Sequence, residues 1–213
     1  MIKQIIFDFA GVITDLTWEG AVASFSKIGL KNADKILDKY HQNGIFQALE
    51  EGKMDTETFR QELSKMCDRN LTQAEIQEAW MGYFNGIDER KLDFLDELRK
   101  EYKIFLLSNT NPYVMEWACS KNFTSNGRSL NDYFDKLYLS YETGYTKPHE
   151  GIFKFMFEDA KIDPKESLFV DDGAGNVAAG AKLGMHTFHP ENATFWCENL
   201  KKQLFSLKNE HFS

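Results

Sequence analysis

Four short apolar runs, IIFDF (5–9), KIFLLS (103–108), KLYLS (136–140) and SLFVDD (167–172), constrain this chain more than any other feature. Each has the length and composition of a strand buried on both faces, and a weaker fifth follows at MHTFH (185–189). Helical patterns separate them at about 91–101, 112–121, 150–160, 175–183 and 194–207. Strands that alternate with helices specify an α/β fold, a mainly parallel sheet with helices on both faces. One stretch breaks the rhythm. From 16 to 85 only helical patterns occur, among them FSKIGL, ADKILDKYH, TETFRQELSKM and TQAEIQEAW. DTETF and LTQAE read there as helix starts, each with an N-cap candidate and acid in the first turn. Roughly seventy residues exceed any ordinary connection between neighbouring strands. We expect an inserted all-helical domain at 16–85, and a discontinuous core made of 1–15 and 86–213.

In such sheets ligands bind outside the carboxyl ends of the strands. The polar residues at those ends are Asp8, Ser108 with Asn109, and Asp171 with Asp172; Lys147 follows the next strand after the loop YETGYT. Four distant segments would thus meet at one edge, which is the main functional signal. Taken singly, each residue has a blander use. A lone Asp8 could simply cap a turn, but Gly11 beside it permits a tight turn and close backbone approach to a ligand. Two adjacent acids, Asp171 and Asp172, repel one another unless a cation joins them, so a hard divalent metal with oxygen ligands is expected over a solvated loop pair. A lone Lys147 is usually surface, and Pro148 after it can open the following helix. Ser108-Asn109-Thr110-Asn111-Pro112 offers donors at a strand-to-helix junction, where anions bind readily, while Asn111 also suits an N-cap.

Composition narrows the partners. With 42% apolar and 27% charged residues, the 213-residue chain is an ordinary globular protein with room for a sizeable core. A net charge of −8 without a basic block argues against nucleic acid and anionic membrane. No apolar run approaches the ~20 residues needed to span a bilayer. MIKQIIFDF enters a strand directly, with no signal-peptide pattern, so the cytoplasm is the expected compartment. Cys67, Cys119 and Cys197 are scattered and odd in number, which does not suit a disulfide framework.

In order along the chain, FDFAGVITD, LLSNTNP, GYTKPHEGIF and LFVDDGAGNVAAGAKLGM resemble the motifs of the haloacid dehalogenase superfamily of Asp-nucleophile phosphohydrolases. The resemblance covers essentially the whole chain. It implies a Rossmann-like core with a helical cap, for which GIFQALEEGKMDTETF is typical, and it is strongest toward the branch of sugar-1-phosphate phosphatases. Carried over, it implies a Mg²⁺-dependent phosphatase acting on a small phosphorylated metabolite, with Asp8 attacking phosphorus to form an aspartyl phosphate. Mg²⁺ would be held by Asp8, Asp172 and the main-chain carbonyl of Ala10, with Asp171 bound directly or through water. Ser108, Asn109 and Lys147 would hold the phosphoryl oxygens, and Asn176 would support the acidic loop.

Ala10 departs from the common pattern of that superfamily, where a second aspartate acts as general acid and base. A main-chain ligand survives the change, but proton transfer worth roughly 10²–10⁴ in rate does not. The expectation is either a leaving group that tolerates charge, such as an anomeric or acyl oxygen, or a proton from the insertion or substrate. His41, Glu50 and His149 are the candidate donors. Two alternatives follow from the same alanine: a non-catalytic phosphate-ligand sensor, and a phosphonoacetaldehyde hydrolase-like enzyme that would use Lys53 to cleave a carbon–phosphorus bond.

Overall fold

The computed structural model describes residues 1–38 and 42–210. The chain begins with β1 (Gln4–Phe7) and β2 (Thr14–Leu16), then passes through α1 (Trp18–Lys27), α2 (Ala33–Ile36), α3 (Gly44–Glu50), α4 (Thr56–Met66) and α5 (Gln73–Met81). It returns through β3 (Phe84–Ile87) to α6 (Glu89–Leu98), β4 (Lys103–Ser108), α7 (Pro112–Ala118), β5 (Lys136–Leu139) and α8 (Ser140–Thr143). The remainder is α9 (Glu150–Ala160), β6 (Ser167–Val170), α10 (Ala174–Lys182), β7 (His186–Phe188) and α11 (Cys197–Glu210).

Five strands form one sheet in the order β5-β4-β1-β6-β7, and every neighbouring pair is parallel. All five apolar runs are strands of this sheet. QIIF of β1 and SLFV of β6 are buried along their whole length, as strands covered on both faces must be. The polar residues that close the runs sit at or just past the end of the ladder: Ser108 is the last residue of β4, opposite Leu139, whereas Asp8, Ser140 and Asp171 follow their strands. Phe7 is in register with Leu106 of β4 and Val170 of β6, so Asp8 emerges beside Asp171 at the carboxyl edge.

Helices α1–α5 lie between β2 and β3, which pair antiparallel with Thr14 opposite Ile87 and Leu16 opposite Phe84. The insertion therefore leaves and rejoins the sheet unit along one short ribbon. Lys91 of α6, itself buried, reaches Asp15 in that ribbon at 3.0 Å. Local signals start the helices: Asp55 accepts the Thr58 N–H at 2.7 Å, and Thr72 with Glu75 closes a capping box. Inside the insertion, Phe25, Phe46, Phe59 and Trp80 pack with ring centroids 5.3–6.3 Å apart, mostly edge to face. Such ring pairs add about 0.5–1.5 kcal/mol each beyond area burial. Phe59 also meets Tyr113 of α7 at 5.9 Å, and one continuous apolar cluster joins the insertion to Phe7 and Phe9.

Two local expectations fare differently. Asn111 does cap α7, accepting the Val114 N–H at 3.2 Å with Pro112 behind it. Pro148 does not open α9. That helix starts at Glu150, and His149 is its cap, with Nδ1 accepting the Gly151 N–H at 3.0 Å. The three cysteines are free, and no helix among the described residues is long and apolar enough to cross a membrane.

Candidate active site

The edge where β1, β4 and β6 end gathers the buried polar groups. The Asp8 N–H still donates to the Val170 carbonyl at 2.8 Å, which fixes where the carboxylate points away from the sheet. Its Oδ1 accepts the Phe9 N–H at 2.7 Å and the Lys147 ammonium at 2.8 Å. The chain then turns sharply through Gly11, at φ +85°, with the Gly11 N–H donating to the Thr14 carbonyl at 2.8 Å. Glycine is required there twice over, since a Cβ would also overlap the Asp172 carboxylate.

Lys147 is fully buried and donates to Asp171 Oδ2 at 2.7 Å as well as to Asp8. Burial works against its charge, but Asp171 and Asp8 outweigh it and hold the ammonium above the ordinary lysine value. Asp8 is pushed well up, first by burial and then by repulsion from Asp171 and Asp172, with Lys147 pulling the other way. Two carboxylates, Asp8 and Asp171, thus share one ammonium, and Asp172 lies beside them. Asp8, Asp171 and Asp172 each place an oxygen within 4.8 Å of the others. An all-oxygen, electron-rich set of this kind suits a hard divalent cation such as Mg²⁺, which would relieve the repulsion.

The supporting bonds sort the roles. Asp171 Oδ1 accepts from the Gly173 N–H at 2.8 Å and from Asn176 at 3.0 Å, while Oδ2 takes Lys147 and a longer 3.3 Å bond from Asn176. Its oxygens are therefore largely committed to orienting Lys147 and the acidic loop. The Asn109 side chain grips the Lys147 main chain from both sides, accepting its N–H at 2.7 Å and donating to its carbonyl at 2.9 Å. Ser108 is buried, and among the described residues its hydroxyl makes one long bond, 3.3 Å to the Asn109 carbonyl. Ser140 ties the ends of β4 and β5 together, accepting the Thr110 N–H at 3.0 Å and donating to the Thr110 carbonyl at 3.1 Å.

Asp8, Ser108, Asn109, Lys147, Asp171, Asp172 and Asn176 are thus brought together, with Ala10 in the turn beside them. Of the named proton donors, His41 lies outside the described residues. His149 is exposed, its ring stacked on Tyr145 at 4.9 Å and its Nδ1 used in capping α9. Glu50, the last residue of α3, is buried. Burial, and secondly the charge of Glu51, push its carboxyl up to about 8. Lys53 is a solvent-facing lysine, its side chain 66% exposed and paired with Glu51 at 2.6 Å, which does not suit the buried amine that the carbon–phosphorus hydrolase reading asks of it.

A cavity of about 70 Å³ lies between the insertion and the sheet edge, lined by Ala10, Asn109 and Thr110 on one side and Glu50, Trp80 and Tyr83 on the other. Trp80 and Tyr83 carry no motif signal, and only folding brings them to the site; Thr110 belongs to the motif LLSNTNP. Gln42, Glu50 and Asn109 also line a second cavity of about 490 Å³ that reaches Lys147 and His149.

Comparison with known proteins agrees with this geometry. Residues 2–184 match the family model of the haloacid dehalogenase-like hydrolases. The chain is 56% identical to a D-ribitol-5-phosphate phosphatase of Bacteroides thetaiotaomicron over 94% of its length and 97% of that protein's. A solved HAD-like family hydrolase from Porphyromonas gingivalis superposes with a TM-score of 0.92 at 41% identity, covering 96% of this chain and 98% of that one. A HAD family enzyme from Bacteroides thetaiotaomicron, solved as an aspartate-to-alanine mutant with magnesium and inorganic phosphate, superposes with a TM-score of 0.88 at 35% identity, covering 94% and 99%. With the parallel sheet, the carboxylate cluster at its edge and the helical insertion all in place, the chain belongs to the haloacid dehalogenase-like hydrolases.

Proposed function

We propose that this protein is a Mg²⁺-dependent phosphatase that hydrolyses a small sugar or sugar-alcohol phosphate through an aspartyl phosphate on Asp8. The observation that carries the reading is the cluster of Asp8, Asp171 and Asp172 at the carboxyl edge of the sheet, with the buried Lys147 bridging Asp8 and Asp171. Phosphoryl transfer needs alignment and charge neutralisation above all, and this set supplies both.

In this reading Asp8, Asp172 and the Ala10 carbonyl hold Mg²⁺, and Asp171 acts mainly by orienting Lys147 or through water. The bound ion supplies neutralisation of the phosphoryl charge. Lys147, the Ser108 hydroxyl and the main-chain N–H of Asn109 receive the phosphoryl oxygens, while the Asn109 side chain and Asn176 keep Lys147 and the acidic loop in place. Residues 16–85 form the cap that covers the site and excludes water, over a core of 1–15 and 86–213. The cytoplasm is the compartment where such a substrate is met.

The name of the 56% identical relative bears on the substrate class. D-Ribitol 5-phosphate is the ester of a primary alcohol, whose alkoxide is a poor leaving group. That shifts the reading away from anomeric phosphates and toward a site that obtains its proton somewhere other than position 10. Release of inorganic phosphate from D-ribitol 5-phosphate and p-nitrophenyl phosphate, with and without Mg²⁺, tests the proposal. Asp8→Asn should remove turnover of both, because an amide neither attacks phosphorus nor balances the metal. Full turnover in that variant, or binding of phosphate esters without hydrolysis as in a sensor, would refute it.

A further inference from the structure

Position 10 offers only a methyl group where a primary alkoxide would need a proton. We propose that Glu50, reaching the site from the end of α3, protonates the leaving oxygen and then activates the water that releases phosphate. The assignment rests on the phosphatase reading and extends it.

Four observations support it. Glu50 and Ala10 line one and the same cavity, so the carboxyl borders the space that a carboxylate at position 10 would have served. Glu50 is buried, and its carboxyl holds its proton up to about pH 8, which is the form an acid must start from. The other titratable side chain in the cavity wall, Tyr83, is engaged, its hydroxyl accepting from Gln42 at 3.0 Å and donating to the Asp38 carbonyl at 3.4 Å; burial pushes it far up, out of reach as an acid. Finally, Trp80 Nε1 and Thr110 Oγ1 in the same wall are buried without a hydrogen-bond partner among the described residues. Each such orphan costs about 1–3 kcal/mol unless something polar fills the space. A hydroxylated leaving group would do so. The other ionisable groups near Glu50 are Glu51, paired with Lys53 on the solvent side, and Lys147 and His149, which line the second cavity with it; Lys147 is held by Asp8 and Asp171.

The proton balance closes. An Asp8 oxygen bonds to phosphorus as the bond from phosphorus to the ester oxygen breaks, and that oxygen takes the Glu50 proton and departs as the alcohol. Glu50 is left as a carboxylate. Water then attacks the phosphorus of the aspartyl phosphate, giving its proton to Glu50, and the Asp8 carboxylate and inorganic phosphate are regenerated.

The test compares wild type and Glu50→Gln at saturating Mg²⁺ on D-ribitol 5-phosphate, whose leaving group needs a proton, and p-nitrophenyl phosphate, whose leaving group scarcely does. The variant should lose roughly 10²–10⁴-fold in kcat/KM on the ribitol ester and less than a tenth of that factor on the aryl ester. In wild type the ratio of the two rates should fall as pH rises past about 8, and in the variant that dependence should vanish. Taking the ratio cancels the titration of Asp8 and of the metal site. An equal fall on both esters, or no fall on either, overturns the assignment while leaving the phosphatase reading intact. Wild-type protein that hydrolyses neither ester overturns both. Should the variant fail to fold, the wild-type ratio decides alone: no change between about pH 6 and about pH 9 overturns the assignment.

Discussion

Glu50→Gln should make the protein more stable, and increasingly so as pH rises. The native carboxyl titrates at about 8 against an ordinary 4.5, because folding takes it out of water. The sign follows from proton linkage. Below its ordinary value the group is protonated in both states and contributes nothing adverse. Between the two values the unfolded chain gives up the proton and the folded one keeps it, so stability is lost as pH rises toward the folded value, then levels off. At 1.36 kcal/mol per unit, the loss from Glu50 alone reaches about 4 kcal/mol near pH 8, of which about 3 kcal/mol accrues above pH 5. Glutamine has nearly the same shape and no proton to lose, so this slope disappears in the variant. Urea unfolding of both proteins, followed by tryptophan fluorescence in Mg²⁺-free buffer, measures the difference directly. Every other titrating group is common to the two proteins and cancels. The gap should widen by about 3 kcal/mol from near pH 5 to near pH 8, or roughly 10 °C in Tm for a chain of this size. A gap that stays constant with pH would mean that Glu50 is ionised in the folded protein, and the reasoning would fail.

Other outcomes follow from the site. Asp172→Ala should raise the Mg²⁺ concentration for half-maximal activity, because Asp171 has its oxygens committed to Lys147, Gly173 and Asn176 and cannot take over; an unchanged midpoint counts against Asp172 as a ligand. Gly11→Ala should cost at least about 1–2 kcal/mol from its backbone conformation alone, and also weaken Mg²⁺ binding because the new Cβ displaces the Asp172 carboxylate. Unfolding and Mg²⁺ titration check the two parts separately. Ala10→Asp placed on Glu50→Gln should restore turnover of the ribitol ester relative to the aryl ester by up to roughly 10²-fold, since a carboxyl again faces the leaving oxygen. Equal changes on both esters would show that position 10 has no access to it.

Much of this was legible in the sequence because the informative features are local. Apolar runs of strand length mark β1, β4, β5 and β6 whatever surrounds them, and the polar residues that end those runs mark the carboxyl edge of the sheet. The β2–β3 ribbon was not legible. β2 has three residues, and FNGI in β3 exposes its middle two, so neither shows a buried-strand pattern. The distinction between Asp171 and Asp172 was hidden for another reason: adjacent carboxylates look alike until the Lys147 and Asn176 bonds assign one of them. Trp80 and Tyr83 carry no signal of a site in the sequence, and only folding gives them a common wall with Thr110 of the LLSNTNP motif. Glu50 could be named as a candidate, but its burial, which is what makes it an acid, is a property of the tertiary structure.

That burial also explains what is gained by carrying the acid on the insertion. A carboxylate in the turn after β1 would be present whether or not the site were covered. Glu50 is different, because its affinity for the proton depends on its burial in the folded protein. Hydrated, a glutamate titrates near its ordinary 4.5 and is ionised at neutral pH, so it has no proton to give. Buried, it retains the proton to about 8 and can deliver it. Exclusion of water from the cavity and retention of the proton by Glu50 therefore depend on the same burial. Protonation of the leaving group and exclusion of water are thereby coupled through one buried carboxyl. The roughly 4 kcal/mol of stability forgone near pH 8 is the counterpart of that coupling: a carboxyl held protonated at neutral pH is poised because the fold opposes its ionisation, and no substitution can relieve that opposition while keeping the acid.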